Sequence, residues 1–151
     1  MTKEELLEFS SKEFAGIKEV GRRLSALACP DKKDAPEKKE LGVNEAAAMG
    51  AFLFAGYSGI ERVLEKVLVY DALSVSDTES KHTEILKKAF ELGIMPSDLY
   101  TALSRYLAFR DYFSRSYVSD LNPEKLAALA RAFEGTAGEL EREILDYLES
   151  V

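Results

Sequence analysis

Apolar side chains recur at three- and four-residue intervals along most of this chain, and the stripes they draw predict five helices. The first carries Leu6, Phe9, Ile17, Val20, Leu24 and Leu27. It opens on Thr2 with Glu5 three residues on, a pair that can satisfy each other's free backbone N–H groups. Pro30 stops it. Residues 30–43, PDKKDAPEKKELGV, are charged and hold two prolines, which predicts a mobile linker. Asn44 is the expected cap of a second helix that presents Phe52, Phe54, Tyr57, Ile60, Leu64, Val67 and Leu68 and runs to about Leu73. Its first half is apolar nearly all round, so it should be the central, most buried helix.

The polar stretch Ser74 to Ser80 reads as a loop. A shorter third helix follows from His82 to Leu92, closed by Gly93 in the left-handed position that ends many helices. Ser97 is expected to cap a fourth helix ending near Val118. Asn122-Pro123, a capping side chain before a proline, starts the fifth. That helix shows Leu126, Ala130, Phe133, Ala137, Leu140, Ile144 and Tyr147, with Gly135 and Gly138 as weak points where it can bend. No repeat and no strand-like alternation appears. The expected fold is all-α, an up-and-down helical bundle of about five helices in one domain, 1–151.

Composition agrees with that picture and narrows the setting. Apolar residues make up 46% and charged residues 31%, enough to build a core and too apolar for a disordered chain. Cys29, alone, has no internal disulfide partner and points to a reducing, cytoplasmic home. The opening Thr2-Lys3-Glu4-Glu5 does not read as a secretory signal. The most apolar run, Ala46 to Ile60, is too short to span a bilayer, so no membrane is expected. The net charge of −7 opposes broad nucleic-acid binding but leaves room for a small basic pocket. Much of the excess lies from Glu134 onward, where six acids face one base, a pattern best read as a solvated helix face.

The fourth helix carries the one odd charge. On a helical wheel Arg110 falls inside the apolar half, flanked by Leu103, Tyr106, Ser114 and Tyr117. Arg105 and Arg115 fall on the polar side, with Asp111 one turn before Arg115 and able to pair with it. A guanidinium among apolar neighbours must be paired or must face a ligand. Glu61 is the matching oddity on the second helix, close to the direction of Phe54, Tyr57 and Leu68. A Glu61–Arg110 hydrogen bond would account for both charges, either as plain neutralisation or as a way to aim Arg110 at a phosphate.

Several short motifs then line up. Tyr57-x-x-Ile60-Glu61-Arg62-Val63, His82-x-x-Ile85-Leu86, Phe109-Arg110-Asp111-x-x-x-Arg115-x-Tyr117 and Asp120-Leu121-Asn122-Pro123-Glu124-Lys125-Leu126 stand in an order and spacing that resembles the HepT-like branch of the HEPN superfamily. The likeness covers roughly residues 45–150. It implies an all-α domain that dimerises, a partnership with a small nucleotidyltransferase antitoxin, and metal-independent RNA cleavage in a cleft shared by two protomers. It implies no cofactor. By the family motif, Arg110 steadies the phosphate with Ser114 and Arg115 beside it, Tyr117 completes the site, and Tyr117 is also a candidate for nucleotidylation by the partner.

The departure is at position 115, where the family has histidine and this chain has arginine. Arginine stays protonated and cannot shuttle protons near neutral pH. His82, the sole histidine, is the candidate replacement base, against the blander reading of a local helix-start side chain. Tyr117 has a bland reading too, an aromatic packed on Tyr106 and Phe113. Metal chemistry is not expected: Glu79-x-x-His82 is half of a di-iron motif, and one His with one Cys cannot complete that or a zinc site. Two functions stay open, a HepT-like ribonuclease with weakened activity and a non-catalytic module that binds RNA, nucleotide phosphate or a nucleotidyltransferase. A purely structural helical module is the third.

Overall fold

A computed structural model describes residues 1–28 and 42–151 and gives five helices: α1 (Lys3–Ala28), α2 (Val43–Tyr70), α3 (Lys81–Glu91), α4 (Ser97–Phe113) and α5 (Pro123–Ser150). A single 3-10 turn, Val118–Asp120, links the last two. Most of the segment read as a linker lies outside the described residues; its last residue, Val43, already begins α2.

α2 packs against all four other helices, and α1 lies along both α2 and α5. Close approach is possible because α2 carries glycine at its seams. A Cβ at Gly59 would meet Ile17 of α1 at 2.9 Å, one at Gly56 would meet Phe133 of α5 at 2.5 Å, and one at Gly50 would meet Phe113 of α4 at 2.6 Å. Each missing methyl admits a side chain from a different helix. Tyr57, Phe14 and Phe133 are the largest wholly buried side chains of the resulting core. Tyr106 of α4 joins it edge-on to Phe133, with centroids 5.5 Å apart, and donates its hydroxyl to the Leu129 carbonyl at 2.7 Å. Burial pushes that phenol up to about 12.

The helix starts divide into two kinds. Thr2 and Glu5 bond each other's backbone N–H at 3.1 and 3.0 Å, and Asn122 accepts from Glu124 and Lys125. Asn44 and Ser97 do not cap. The cap of α2 is Gly42, two residues earlier, and that of α4 is Pro96, one residue earlier, so both side chains fall inside the first turn. α2 also ends before Leu73: Ala72 takes a left-handed φ of 60° and Leu73 N–H returns to the Leu68 carbonyl at 2.9 Å. Tyr147 of α5 donates to Asp71 and fastens that end. Gly93 closes α3 with φ +83°, as its position implied, and α5 runs unbroken through Gly135 and Gly138.

Two glycine-to-alanine changes should therefore move stability in opposite directions. Gly135→Ala meets nothing within 4 Å, so it should gain up to about 1 kcal/mol from helix propensity. Gly56→Ala must displace the buried Phe133 ring, and overpacking costing about 1–3 kcal/mol should outweigh the same propensity gain. Urea unfolding of the two variants checks this; a stabilised Gly56→Ala would contradict the seam.

Candidate functional site

Glu61 and Tyr57 stand one turn apart on α2, and both are buried. The first turn of α3 places His82 over Glu61, with Nδ1 2.6 Å from Oε2. An ionised carboxylate only accepts, so the Nδ1 position carries the hydrogen and a neutral ring keeps its lone pair on Nε2. The imidazole is one-third exposed and the carboxylate almost fully covered, at 34% and 8%. α4 supplies Arg110, whose guanidinium carbon sits 4.9 Å from the centroid of the Phe54 ring. Phe113 continues that aromatic wall, 5.8 Å from Phe54 and 5.6 Å from Phe109.

The charges feel one another. Burial pushes the Glu61 carboxyl above the usual carboxylate range, while His82 and then Arg110 pull it back and Asp111 opposes them. Burial, reinforced by Glu61, likewise drives the Tyr57 phenol far up. Three buried atoms of these side chains have no hydrogen-bond partner among the described residues: Tyr57 Oη, Glu61 Oε1 and Arg110 Nε. Each such group costs about 1–3 kcal/mol if left unsatisfied.

The structure corrects two pairings. Glu61 accepts its hydrogen bond from His82, not from Arg110, because the first turn of α3 brings the imidazole to it. Arg110 stacks on Phe54, and its Nη1 lies 3.7 Å from the carboxylate of Asp111, its own chain neighbour. Among the described residues Asp111 and Arg115 form no ion pair; Arg115 Nε instead donates to the Asp111 carbonyl at 3.1 Å. α4 ends at Phe113 rather than near Val118, which leaves Ser114, Arg115 and Tyr117 beyond the helix. Ser114 Oγ donates to the Asp111 carbonyl; Tyr117 is 80% exposed and does not pack on Tyr106. Sequence reasoning gathered Glu61, Arg110 and His82 as candidates but missed the Glu61–His82 pair and the Tyr57 hydroxyl. The only signal for the pair was that Glu61 is the odd charge on an apolar face and His82 the sole histidine of the sequence.

A groove of about 460 Å³ between α4 and the start of α5 is lined by Phe109, Tyr112, Leu121 and Lys125 among others, and includes none of the three charged groups. Of the tyrosines on and just after α4, Tyr106 is in the core and Tyr100 stacks on Phe90, with centroids 4.6 Å apart. Tyr112 and Tyr117 remain exposed. Among the described residues no three potential metal ligands gather, and no helix is long and apolar enough to cross a membrane.

A family model described as HepT-like protein matches residues 48–151, from the buried half of α2 to the chain's last residue. The chain belongs to the HepT-like family. It is a HEPN-type helical bundle, and the matched span contains all of Tyr57, Glu61, His82, Arg110, Arg115 and Tyr117. No curated protein and no solved structure matches it significantly.

The raised Glu61 carboxyl makes a pH prediction. A group whose proton affinity is higher folded than unfolded favours the fold at low pH, and that support is lost as pH rises through its folded value. Glu61→Gln keeps an acceptor for His82 and removes the buried charge. It should melt above the wild type at neutral pH, with the gap closing toward the ordinary carboxylate value of about 4.3. A variant that melts lower at every pH would mean the ionised carboxylate is a net support.

Proposed function

We propose that this chain is a toxin-type HepT-like ribonuclease, cleaving RNA without metal in a cleft between two copies of itself, with activity weakened by the arginine at position 115. The observation that carries the reading is the 2.6 Å Glu61–His82 pair set close enough to Arg110 that their charges interact. Glu61 holds the imidazole with Nε2 free as a base, and Arg110 offers positive charge to a phosphate. In the reaction His82 Nε2 takes the proton of a ribose 2′-hydroxyl. The 2′-oxygen then bonds to the adjacent phosphorus as the bond to the 5′-oxygen breaks. The product is a cyclic phosphate, and the departing 5′-oxygen takes up a proton from solvent. Ser114 and Arg115 add phosphate contacts beside Arg110.

A second reading, a non-catalytic module that binds RNA or nucleotide phosphate, is favoured by one observation: Arg115 is exposed and permanently charged, suited to holding a phosphate and unsuited to moving a proton. In either case we assign a second copy of the chain and a small nucleotidyltransferase as partners in the cytoplasm. Tyr117, with its exposed ring, is the accessible position for nucleotidylation.

Purified protein should cleave single-stranded RNA slowly and bind it weakly, and light scattering at micromolar concentration should report a dimer. His82→Ala should lower the rate by about 10²–10⁴ with binding retained, the usual contribution of general acid–base help. Arg110→Ala should lose binding and cleavage together, and Arg115→His should raise cleavage while Arg110 is intact. Brisk wild-type cleavage unchanged in His82→Ala would remove His82 from the reaction. Binding without cleavage in every variant selects the second reading.

A further inference from the structure

Tyr57 has a hydroxyl where packing alone would be served by phenylalanine. Its side chain is wholly buried at 0% exposure, and its oxygen finds no partner in the protein. Two more such atoms are Glu61 Oε1, one turn further along α2, and Arg110 Nε of α4, whose guanidinium stacks on Phe54 one turn before Tyr57. The three are chemically complementary: a phenol that donates, a guanidinium N–H that donates, and a carboxylate oxygen that accepts. One small group with two lone pairs and a hydrogen to give would satisfy all of them at once. Water has that inventory, and a polar enclosure with three partners is what holds a buried water in place.

We infer that Tyr57, Glu61 and Arg110 hold one internal water, and that Tyr57 thereby acts as a positioning residue for the Glu61–His82 pair. The carboxylate has two oxygens and two sides. Oε2 is taken by His82 Nδ1. With Oε1 tied through the water to the phenol and the guanidinium, the carboxylate plane cannot rotate, so the imidazole it holds is fixed as well. The groups that bear on Glu61 are His82 from α3 and Arg110 and Asp111 from α4; on Tyr57 they are Glu61, Arg110, Asp111 and Tyr100. Nothing in this requires that the chain cleave RNA, so its failure and the failure of the ribonuclease reading are separate outcomes.

Two measurements test it. A high-resolution crystal structure of the wild-type chain should place one ordered water within hydrogen-bonding distance of Tyr57 Oη, Glu61 Oε1 and Arg110 Nε. Direct bonds among the three atoms, or no ordered water between them, would overturn the inference. The second measurement is the titration of the His82 ring protons by NMR in wild type and Tyr57→Phe, with circular dichroism confirming the fold. Removing a donor from the carboxylate's support raises the proton affinity of the pair, whichever member takes the first proton. The upper midpoint should therefore rise by half a unit or more, about threefold in affinity. A folded Tyr57→Phe with an unmoved His82 titration would show that the phenol does not act on the pair.

Discussion

The second helix packs against all four others, so whatever it buries must be answered by another helix. That constraint organises the bundle. Where α2 has glycine, a ring or branched side chain from α1, α4 or α5 fills the gap, and the interaxial distance is set by the missing methyls. Where it has Glu61, the answer must be electrostatic, because an isolated buried carboxylate would be far too costly to ionise. α3 meets that demand with an imidazole and α4 with a guanidinium. The apolar seams fix where the helices lie; the buried charge fixes which polar side chains they must bring.

The same arrangement makes the site unequal. Arg110 is largely covered and stacked on an aromatic wall, with only a loose contact to the partly exposed Asp111. His82 is more open, and its ring orientation is determined from beneath by Glu61. A covered cation beside an oriented, accessible imidazole is suited to an anionic ligand that lies across the surface rather than one that enters a deep cavity. The groove between α4 and the start of α5 is mostly apolar, which suits a packing partner better than a phosphate.

Local rules were legible and long-range pairings were not. The Thr2–Glu5 box, the Asn122-Pro123 start, the Gly93 stop and the buried character of α2 all follow from a few adjacent residues. The misread starts have a local cause too: Gly42 and Pro96 take the extended cap conformation themselves, so Asn44 and Ser97 come too late. Arg110 and Glu61 announced themselves as odd charges, yet a helical wheel gives direction and not distance. It could not say that α3 would interpose His82, because that depends on where the loop after Ala72 lets the chain return. The early end of α4 was hidden for a related reason, since Ser114 and Ser116 bond back to preceding carbonyls and continue no helix.

That early end changes what an arginine at position 115 can mean. On a straight helix, residues five apart diverge by about 140°, so position 115 could not face the same ligand as Arg110. Past Phe113 the α-helix gives way to turns that bond Arg115 N–H to the Tyr112 carbonyl, and the one side-chain bond of Arg115 among the described residues is its Nε–H to the Asp111 carbonyl. Its terminal nitrogens are then free to turn toward an anion, and Asp111, engaged with Arg110, does not hold them. Under the proposed reading the site gains a second fixed positive charge at the motif position and relies on one imidazole for proton transfer. Charge of that kind stabilises bound phosphate in ground and transition state alike, and uniform binding of this sort does not raise turnover. A site built this way should hold its ligand better than it transforms it.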